Sequence, residues 1–377
     1  MRIGIDCRML GPGFGLARYV EQLVKHLLVI DSNNEYVLFV QTNNFLPFSR
    51  KCKVVVADIP WYSWAEQIKF KKIIDREKVD LMHFPHWNVP FFYHKPFVVT
   101  IHDLIMYRFP RPEATTLGPL KFWLKDQAHR LLVRQAVKKA KHILTTSEFT
   151  KQDIHQILGV PMEKMLVTYQ APFENQKSLE SENQNFDLNN YNINKKYVLY
   201  VGAAYPHKNL ERLLQAWKIF SNKHGNDYQL VLVGKDNYFY HRLINDSSLT
   251  LPLLKRGEVV YTGFVPDDEL IELYKNASLY IFPSLYEGFG LPPLEAQIHK
   301  IPVVSSNASC LPEVLTDSVL YFDPENIEQM ADIIWTGLTD NNLRLELQNN
   351  AQENLKRFSW QKLAEQTLDV YKKTLLS

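Results

Sequence analysis

Short apolar runs alternate with longer, partly polar segments along both halves of the chain. The runs are rich in Val, Ile, Phe and Thr and are unbroken, as expected for parallel strands covered by helices on both faces. We predict strands at residues 2–5, 36–40, 54–57, 81–84, 97–101, 143–146, 197–201, 229–233, 259–261, 279–282, 303–304 and 319–322. Between most of these strands, apolar residues recur at helical spacing, for example at 17–29, 64–76 and 120–140. The pattern predicts an α/β fold with doubly wound parallel sheets.

The length of 377 residues is that of two domains. We predict an N-terminal domain at 1–172, a linker or mobile loop at 173–195 and a C-terminal domain at 196–377. The segment 174–195 holds seven Asn and few large apolar residues, so it has little surface to bury. Residues 341–376 have the pattern of two helices, and the last is a candidate for return to the first domain.

Composition narrows the class of protein. Hydrophobic residues make up 46% of the chain and charged residues 22%, which excludes disorder, collagen and coiled coil as global descriptions. Cys7, Cys52 and Cys310 are too few and too scattered for a disulfide framework or a zinc cluster, and they fit a reducing compartment. No run approaches the ~18 apolar residues of a membrane span. Because Asp6 and Arg8 interrupt the first apolar stretch, it reads as a strand rather than a signal peptide, and we expect a cytoplasmic protein.

Charge is distributed unevenly between the two halves. Residues 1–171 hold 24 Lys and Arg against 15 Asp and Glu, whereas residues 172–377 hold 19 against 26. The segment 121–141 carries eight Lys, Arg or His residues against Asp126 alone, with Leu124 and Leu131 at helical spacing. A helix of this kind can lie on an anionic membrane surface, although packing on its own domain is the commoner explanation. A phosphorylated acceptor, nucleic acid or a chance split would also account for the asymmetry.

The strongest local motif is EGFGLPPLE at residues 287–295, directly after a predicted strand. Pro292 and Pro293 suit the first turn of a helix, and a glycine loop before a helix N-terminus offers free N–H groups to an anion. Glu287 and Glu295 would repel a phosphate, but carboxylates are strong acceptors for sugar hydroxyls. The alternative is a loop whose Glu caps a helix. Lys208 also follows a predicted strand and opens a predicted helix at 208–220, where its charge can reinforce an anion site.

The Glu-x₇-Glu spacing resembles the signature of retaining glycosyltransferases of family 4. Six further segments resemble that family in the expected order: IDCRMLGPGFGLARYV at 5–20, TIHDL at 100–104, VGAAYPHKNL at 201–210, VGK at 233–235, TGFVPDDEL at 262–270 and SNASCLPEV at 306–314. The resemblance covers essentially the whole chain. It implies the GT-B fold, in which two Rossmann-like domains face each other, and a nucleotide sugar as the donor.

The resemblance also implies roles for residues of the second half. Glu287 would contact hydroxyls of the donor sugar, and Glu295 would hold the ribose. Lys208 would neutralise the diphosphate leaving group. The other implied donor-binding positions in this half are His207 and the backbone of Phe289, Gly290 and Leu291. Many relatives carry an Arg where this chain has Ala203, so the diphosphate would depend on Lys208, His207 and helix N-termini.

In the first half, the resemblance places the loop with Gly13 and Gly15 beneath the donor diphosphate. Taken alone, this loop is a weak dinucleotide motif. Arg18 occupies its third glycine position, and no acidic residue ends the second strand, which argues against NAD. His102 ends a strand at the edge where α/β sheets bind ligands, and the resemblance places it beside the transferred sugar; a buried core histidine is the alternative. Weaker acceptor-side candidates are His83, His86 and Arg108.

With these residue roles, the resemblance implies a hexosyltransferase that moves a hexose from a nucleotide diphosphate sugar to a glycan or lipid-linked acceptor in polysaccharide biosynthesis. Glu287, Lys208 and His102 would carry catalysis. The motifs resemble mannosyltransferases that use GDP-mannose, with UDP-glucose as another donor. The resemblance implies retention, and the sequence has no Asp-x-Asp motif for a metal ion, so we expect neither metal nor cofactor. The alternatives are a nucleotide-sugar 2-epimerase and a non-catalytic protein that binds sugar nucleotides. We expect no nucleic acid partner, and peripheral contact with the inner membrane face remains open.

Overall fold

The computed structural model describes residues 1–11, 15–42, 52–110, 118–172, 186–245 and 250–376. The chain forms two compact units, one of Met1–Ala171 with Ser359–Ser377 and one of Pro172–Phe358. Of the predicted linker, residues 173–185 lie outside the described residues, and the remainder includes a short 3₁₀ helix at Leu188–Tyr191. No helix among the described residues is long and apolar enough to span a bilayer.

The first unit contains a seven-stranded sheet in which all neighbouring strands are parallel, in the order β3-β2-β1-β4-β5-β6-β7. Its strands are β1 Arg2–Asp6, β2 Glu35–Val40, β3 Lys53–Val56, β4 Leu81–Phe84, β5 Phe97–Ile101, β6 His142–Thr145 and β7 Met165–Val167. Its helices are α1 Gly15–Ile30, α2 Lys71–Glu77, α3 Ile105–Arg108, α4 Pro119–Lys139, α5 Glu148–Leu158 and the C-terminal helix Trp360–Leu376.

Both faces of this sheet are buried, which explains the unbroken apolar runs of the sequence. In β2, Val37 and Phe39 enter one hydrophobic core, while Leu38 and Val40 enter the other. The second core contains α1 and the C-terminal helix. The predicted helix at 64–76 is present as a π-helical turn, Glu66–Phe70, followed directly by α2. The π-helical turn has hydrogen bonds from residue i to i+5 instead of i+4, so it is wider than the α-helix that follows.

The second unit contains a six-stranded parallel sheet in the order β10-β9-β8-β11-β12-β13. Its strands are β8 Lys196–Val201, β9 Tyr228–Val233, β10 Val259–Gly263, β11 Leu279–Phe282, β12 Val303–Ser306 and β13 Leu320–Phe322. Its helices are α6 Leu210–His224, α7 Tyr238–Asn245, α8 Thr250–Lys255, α9 Asp267–Asn276, α10 Leu291–Ile298, α11 Leu311–Leu315, α12 Ile327–Thr339 and α13 Asn341–Leu355. The prediction of parallel sheets in both halves is confirmed.

Each sheet has one point at which the strand order reverses direction. In the first unit this point lies between β1 and β4, and in the second it lies between β8 and β11. Chains leaving such neighbouring strands diverge to opposite faces, so a crevice opens at their carboxyl ends, and open α/β sheets bind ligands there. The loops after β8 and β11 carry Lys208 and Glu287, and those after β1 and β4 carry Arg8 and His86.

Helix α4 is exposed along its N-terminal half. No residue from 120 to 132 is buried, whereas Val133, Ala136 and Val137 pack into the core beside the sheet. The large apolar residues that α4 exposes are Leu120, Trp123, Leu124 and Leu131. The segment therefore has one apolar stripe for the protein core and a second that faces solvent.

Candidate functional site

Lys208 and Glu287 form an ion pair at the carboxyl edge of the second sheet. Lys208 Nζ donates to Glu287 Oε1 at 2.5 Å, and both side chains are largely buried. The ammonium also lies 5.5 Å from the centroid of the Phe282 ring. Within the part of the chain that the structure describes, Glu287 Oε2 accepts no hydrogen bond. The pair thus places a cation and an open carboxylate oxygen side by side at the point where this sheet reverses direction.

Backbone contacts between two loops set this spacing. Leu285 N donates to His207 O at 2.7 Å, and Asn209 Nδ2 donates to Pro283 O at 3.1 Å. Asn209 has φ 62°, so the chain turns sharply there. For this reason α6 begins at Leu210, after a 3₁₀ turn at Pro206–Lys208, and the prediction of a helix from Lys208 is wrong by two residues.

The loop after β11 requires glycine immediately before α10. Gly290 is the N-cap with φ 91°, and a Cβ added there would lie 2.8 Å from Leu311 Cδ2. Any larger residue would strain the backbone at this φ, and the Leu311 side chain would have to shift to make room for its Cβ. Leu291 is the first helical residue, and Pro292 and Pro293, which have no N–H, follow it. The backbone N–H groups left for a ligand at the N-terminus of α10 are therefore those of Gly290 and Leu291. The predicted strand, glycine loop and helix start are all present.

Three other predicted donor-binding residues lie in this loop or next to it. Phe289 is buried, and its ring packs edge-on against Phe358. Glu295 is partly exposed on the second turn of α10. His207 is only 1% exposed, with its ring stacked on Tyr205, so its side chain fixes the turn that carries Lys208. On this geometry, a ligand contact at His207 would use its backbone.

Gly234 is a further requirement of this edge that the sequence reasoning did not single out. A Cβ there would lie 2.2 Å from Gly202 O and 2.6 Å from the Tyr240 ring. Tyr240 OH donates to Gly202 O at 2.8 Å, and its ring stacks on Tyr261. The chain segments that leave β8 and β9 therefore touch through their backbones, which only glycine allows.

In the first unit, His102 follows β5 with both ring nitrogens bonded to protein. Nε2 lies 2.9 Å from Pro85 O, and because a carbonyl only accepts, Nε2 carries the proton. Gln170 Nε2 donates to Nδ1 at 3.2 Å, and Tyr19 packs edge-on against the ring. Burial lowers the pKa of His102 to about 4, so the ring is neutral at pH 7. His102 thus holds the chain next to His86 in a fixed orientation.

The remaining first-unit candidates have different environments. His83 is fully buried and bonds to Tyr371 OH at 2.6 Å and Thr100 Oγ1 at 2.8 Å, so an acceptor contact does not fit its core position. Arg108 is half-exposed and pairs with the buried Asp153. Gly15 opens α1. Gly13 lies outside the described residues.

A buried charge cluster connects the loops after β1 and β4, and the sequence reasoning missed it. Arg8 is fully buried; its Nε and Nη2 donate to Asp6, and Nη2 also donates to Glu66 Oε1 at 2.6 Å. Asn88 Nδ2 donates to the same Glu66 oxygen at 3.4 Å. We name these residues the Arg8 cluster: Asp6, Arg8, Glu66 and Asn88. The sequence signal was an arginine at the end of a buried strand, which must find carboxylate partners.

Comparison with known proteins identifies the family. The family model "Glycosyltransferase Family 4" matches residues 15–171, and the model "Glycosyl transferases group 1" matches residues 181–354. The O-antigen chain mannosyltransferase B of Escherichia coli is 30% identical over 297 residues, covering 78% of this chain and 74% of that protein. This chain belongs to the family 4 glycosyltransferases. The family assignment made from the motifs is therefore confirmed.

Other relatives agree with this assignment. The O-antigen chain mannosyltransferase RfbU of Salmonella typhimurium is 27% identical to this chain, and the match covers 73% of this chain and 72% of RfbU. Sucrose-phosphate synthase from Thermosynechococcus elongatus superposes with a TM-score of 0.76 at 20% identity, over 99% of this chain and 98% of that one. HepE from Anabaena, solved with UDP and glucose, superposes with a TM-score of 0.72 at 18% identity, over 99% of this chain and 100% of that one. The glycosyltransferase thus has the GT-B fold, and it is a hexosyltransferase that uses a nucleotide sugar.

Proposed function

We propose that this glycosyltransferase moves mannose from GDP-mannose to a hydroxyl of a glycan or lipid-linked acceptor, with retention and without a divalent metal. The observation that carries the proposal is the Lys208–Glu287 pair at the reversal point of the second sheet. The mannose donor is supported by the mannosyltransferase names of the curated relatives and by the motifs of the sequence. UDP-glucose is the competing donor.

In this proposal, Lys208 and the N-terminus of α10 stabilise the departing diphosphate. A cation and unpaired backbone N–H groups both favour the negative charge that develops as the glycosidic bond breaks. Because these groups supply positive charge from the protein itself, and the sequence holds no Asp-x-Asp motif, no metal ion is needed for the leaving group. The leaving phosphate accepts the proton of the attacking hydroxyl on the same face of the sugar, which gives retention.

The two acidic residues bind the carbohydrate parts of the donor. The open Oε2 of Glu287 can accept from a hydroxyl of the transferred sugar while Oε1 stays with Lys208. Glu295 lies on the second turn of α10 and is partly exposed, which suits the ribose hydroxyls. Each charge-assisted bond of this kind contributes about 1.5–3 kcal/mol.

We also propose that the exposed half of α4 contacts an anionic membrane surface, where lipid-linked acceptors are found. Leu124 and Leu131 lie on one face of the helix, seven residues apart, and both are more than half exposed. Lys121 and Lys125 flank that face, while Asp126 is paired with Arg130. Apolar side chains with flanking cations match the boundary between lipid headgroups and acyl chains.

The experiment is a panel of nucleotide sugars tested for transfer and for hydrolysis, with and without EDTA. We expect turnover of GDP-mannose above UDP-glucose and an unchanged rate in EDTA. Glu295→Ala should weaken binding of the preferred donor about tenfold or more, since a charged acceptor is lost. A rate abolished by EDTA would refute the metal-free mechanism. Conversion of the free donor to its 2-epimer would indicate an epimerase, and donor binding without turnover a non-catalytic protein.

A further inference from the structure

His86 stands at the reversal point of the first sheet with one ring nitrogen engaged. It follows β4, and its Nδ1 bonds to Asn88 Oδ1. Its Nε2 has no hydrogen-bond partner within the ranges that the structure describes, and the side chain is partly exposed. Burial lowers the pKa of His86 to about 3, so the ring is neutral at pH 7 and only one of its nitrogens carries a proton.

The orientation of the Asn88 amide determines which ring nitrogen of His86 carries the proton. An amide presents an oxygen on one side and an NH₂ group on the other, and the two faces are not interchangeable once a neighbour is fixed. Asn88 Nδ2 faces Glu66 Oε1, a carboxylate oxygen that only accepts. The amide oxygen must then face His86, and an oxygen can pair only with a protonated Nδ1. The lone pair of the ring is left on Nε2.

Burial raises the pKa of Glu66, but both of its oxygens accept from protein donors, and these bonds hold them as acceptors. Oε1 accepts from Arg8 Nη2 at 2.6 Å, and Oε2 accepts from the backbone N–H of Tyr62 at 2.9 Å. Burial opposes the charge of Arg8, but Asp6 and Glu66 outweigh it and raise the pKa of Arg8. Arg8 also lies over the Phe70 ring at 3.7 Å, which fixes the guanidinium plane. Because Arg8 is always charged, it can only donate to Glu66. Glu66 must therefore accept from Asn88, and the amide oxygen of Asn88 must accept from His86.

We propose that the Arg8 cluster positions His86 as its Nδ1–H tautomer and so presents the Nε2 lone pair to a hydroxyl of the sugar acceptor. The cluster members are positioning residues, and His86 is the group that meets the acceptor. Its place at the carboxyl edge between β1 and β4 is where such a sheet binds ligands. His102 contributes by bonding Pro85 O, immediately before His86. The acceptor part of this inference rests on the proposed function, whereas the tautomer does not.

The tautomer can be read by NMR on the full chain labelled with ¹⁵N-histidine. Long-range ¹H–¹⁵N correlation distinguishes a protonated ring nitrogen from an unprotonated one, and loss of signals in His86→Gln assigns the residue. We expect a protonated Nδ1 and an unprotonated Nε2, and we expect Asn88→Ala to lose that preference. Asn34→Ala is the matched control, because its amide also donates to a carboxylate, at 2.6 Å, but outside the cluster. A protonated Nε2 in the native protein, or an unchanged tautomer in Asn88→Ala, would overturn the proposal.

Kinetics test the acceptor contact, with methyl α-mannoside as the probe and the donor that the panel identifies. Asn88→Ala should raise KM for the probe about tenfold and leave both KM for the donor and donor hydrolysis in water unchanged. An equal loss in donor hydrolysis would mean a general structural defect and would contradict a positioning role. If the native protein neither transfers nor hydrolyses any donor, the proposed function fails while the NMR result still decides the tautomer. If it only hydrolyses the donor, the NMR result alone decides the positioning claim.

Discussion

Single residues at the two sheet edges differ in how far sequence alone could identify them. Glu287 and Lys208 stood in motifs with a clear physical reading, and they proved to be direct partners. His83 carried the same kind of signal as His86, a histidine at the end of a buried strand, but it lies in the core. His83 lies within β4, where the sheet is covered on both faces, whereas His86 lies in the loop after that strand, at the carboxyl edge. Where β4 ends depends on packing elsewhere in the chain, which the run of residues does not reveal.

The Lys208–Glu287 pair makes a prediction that separates stability from activity. Lys208→Met leaves a largely buried carboxylate unpaired, so it should lower the free energy of unfolding by about 3 kcal/mol. Adding Glu287→Gln should restore most of that loss, because both charges are then gone. Turnover should fall about 100-fold or more in the single and in the double variant, because the charge facing the leaving group is missing in both. Urea unfolding and initial-rate measurements provide the two readouts.

Lys223→Met is the matched control for this pair. Lys223 bonds to Asp332 in the same unit at 2.9 Å, but both side chains are about half exposed. An exposed pair contributes about 0–1 kcal/mol, so this variant should retain stability and turnover. Recovery of activity in the Lys208→Met, Glu287→Gln double variant would show that the pair serves packing alone.

At the level of elements, the sequence predicted strands better than helix ends. Unbroken apolar runs marked twelve strands, while β7, with only three residues, offered too short a run to detect. The start of α6 was misplaced because Asn209 adopts a positive φ that no periodicity reveals. For α4, the helix was predicted correctly from the sequence, but with a single apolar stripe. The structure has two such stripes, one buried and one exposed.

The exposed stripe of α4 leads to a prediction for membrane binding. Vesicles with anionic lipid should bind the protein more tightly than neutral vesicles, and added salt should weaken that binding. Lys121→Gln with Lys125→Gln should cost about 2 kcal/mol, roughly 30-fold in affinity, at ~1 kcal/mol per cation near an anionic surface. Leu124→Ser with Leu131→Ser should weaken binding at least tenfold through the lost apolar contact. Vesicle co-sedimentation measures both effects.

Leu345→Ser is the control for the leucine variants, since Leu345 is similarly exposed but lies on a helix of the second unit. It should bind vesicles like the native protein. Equal binding by the native protein to neutral and anionic vesicles would rule out the electrostatic part of this contact, and no binding to either would rule out the contact as a whole.

At the scale of the molecule, each of the two units is held together by contacts between segments that are distant in sequence. Apart from the candidate return of the last helix to the first domain, the sequence did not predict these contacts. The strand order of each sheet depends on pairing between strands that lie far apart along the chain. The C-terminal helix packs on α1 of the first unit, where Leu363, Ala364 and Tyr371 are buried. His83 is part of this packing, since its ring joins Tyr371 of that helix to Thr100 of β5. The local pattern of the sequence predicts the individual strands and helices. Which of them pack together depends on how the apolar faces of all the elements are buried against one another.

Three histidines of the first unit, His83, His86 and His102, have lowered pKa values, so the stability of this unit should fall as the pH is lowered. Burial lowers the pKa values of His83 and His86 to about 3 and that of His102 to about 4, whereas the unfolded chain binds protons near pH 6.5. Between these values the unfolded state holds more protons, so the free energy of unfolding rises with pH. Each histidine contributes up to about 1.4 kcal/mol per pH unit, and all of it is present above pH 6.5.

Urea unfolding followed by tryptophan fluorescence between pH 5 and 7.5 measures this slope. In His83→Gln, the amide keeps a donor and an acceptor for Thr100 and Tyr371 but does not titrate, so the slope should decrease by about one histidine's share. His94→Gln removes an exposed histidine of the same unit and should leave the slope as it is. If His83→Gln and the native protein lose stability in parallel as the pH falls, the acid sensitivity arises elsewhere, and the buried histidine is not linked to folding in the way that its burial requires.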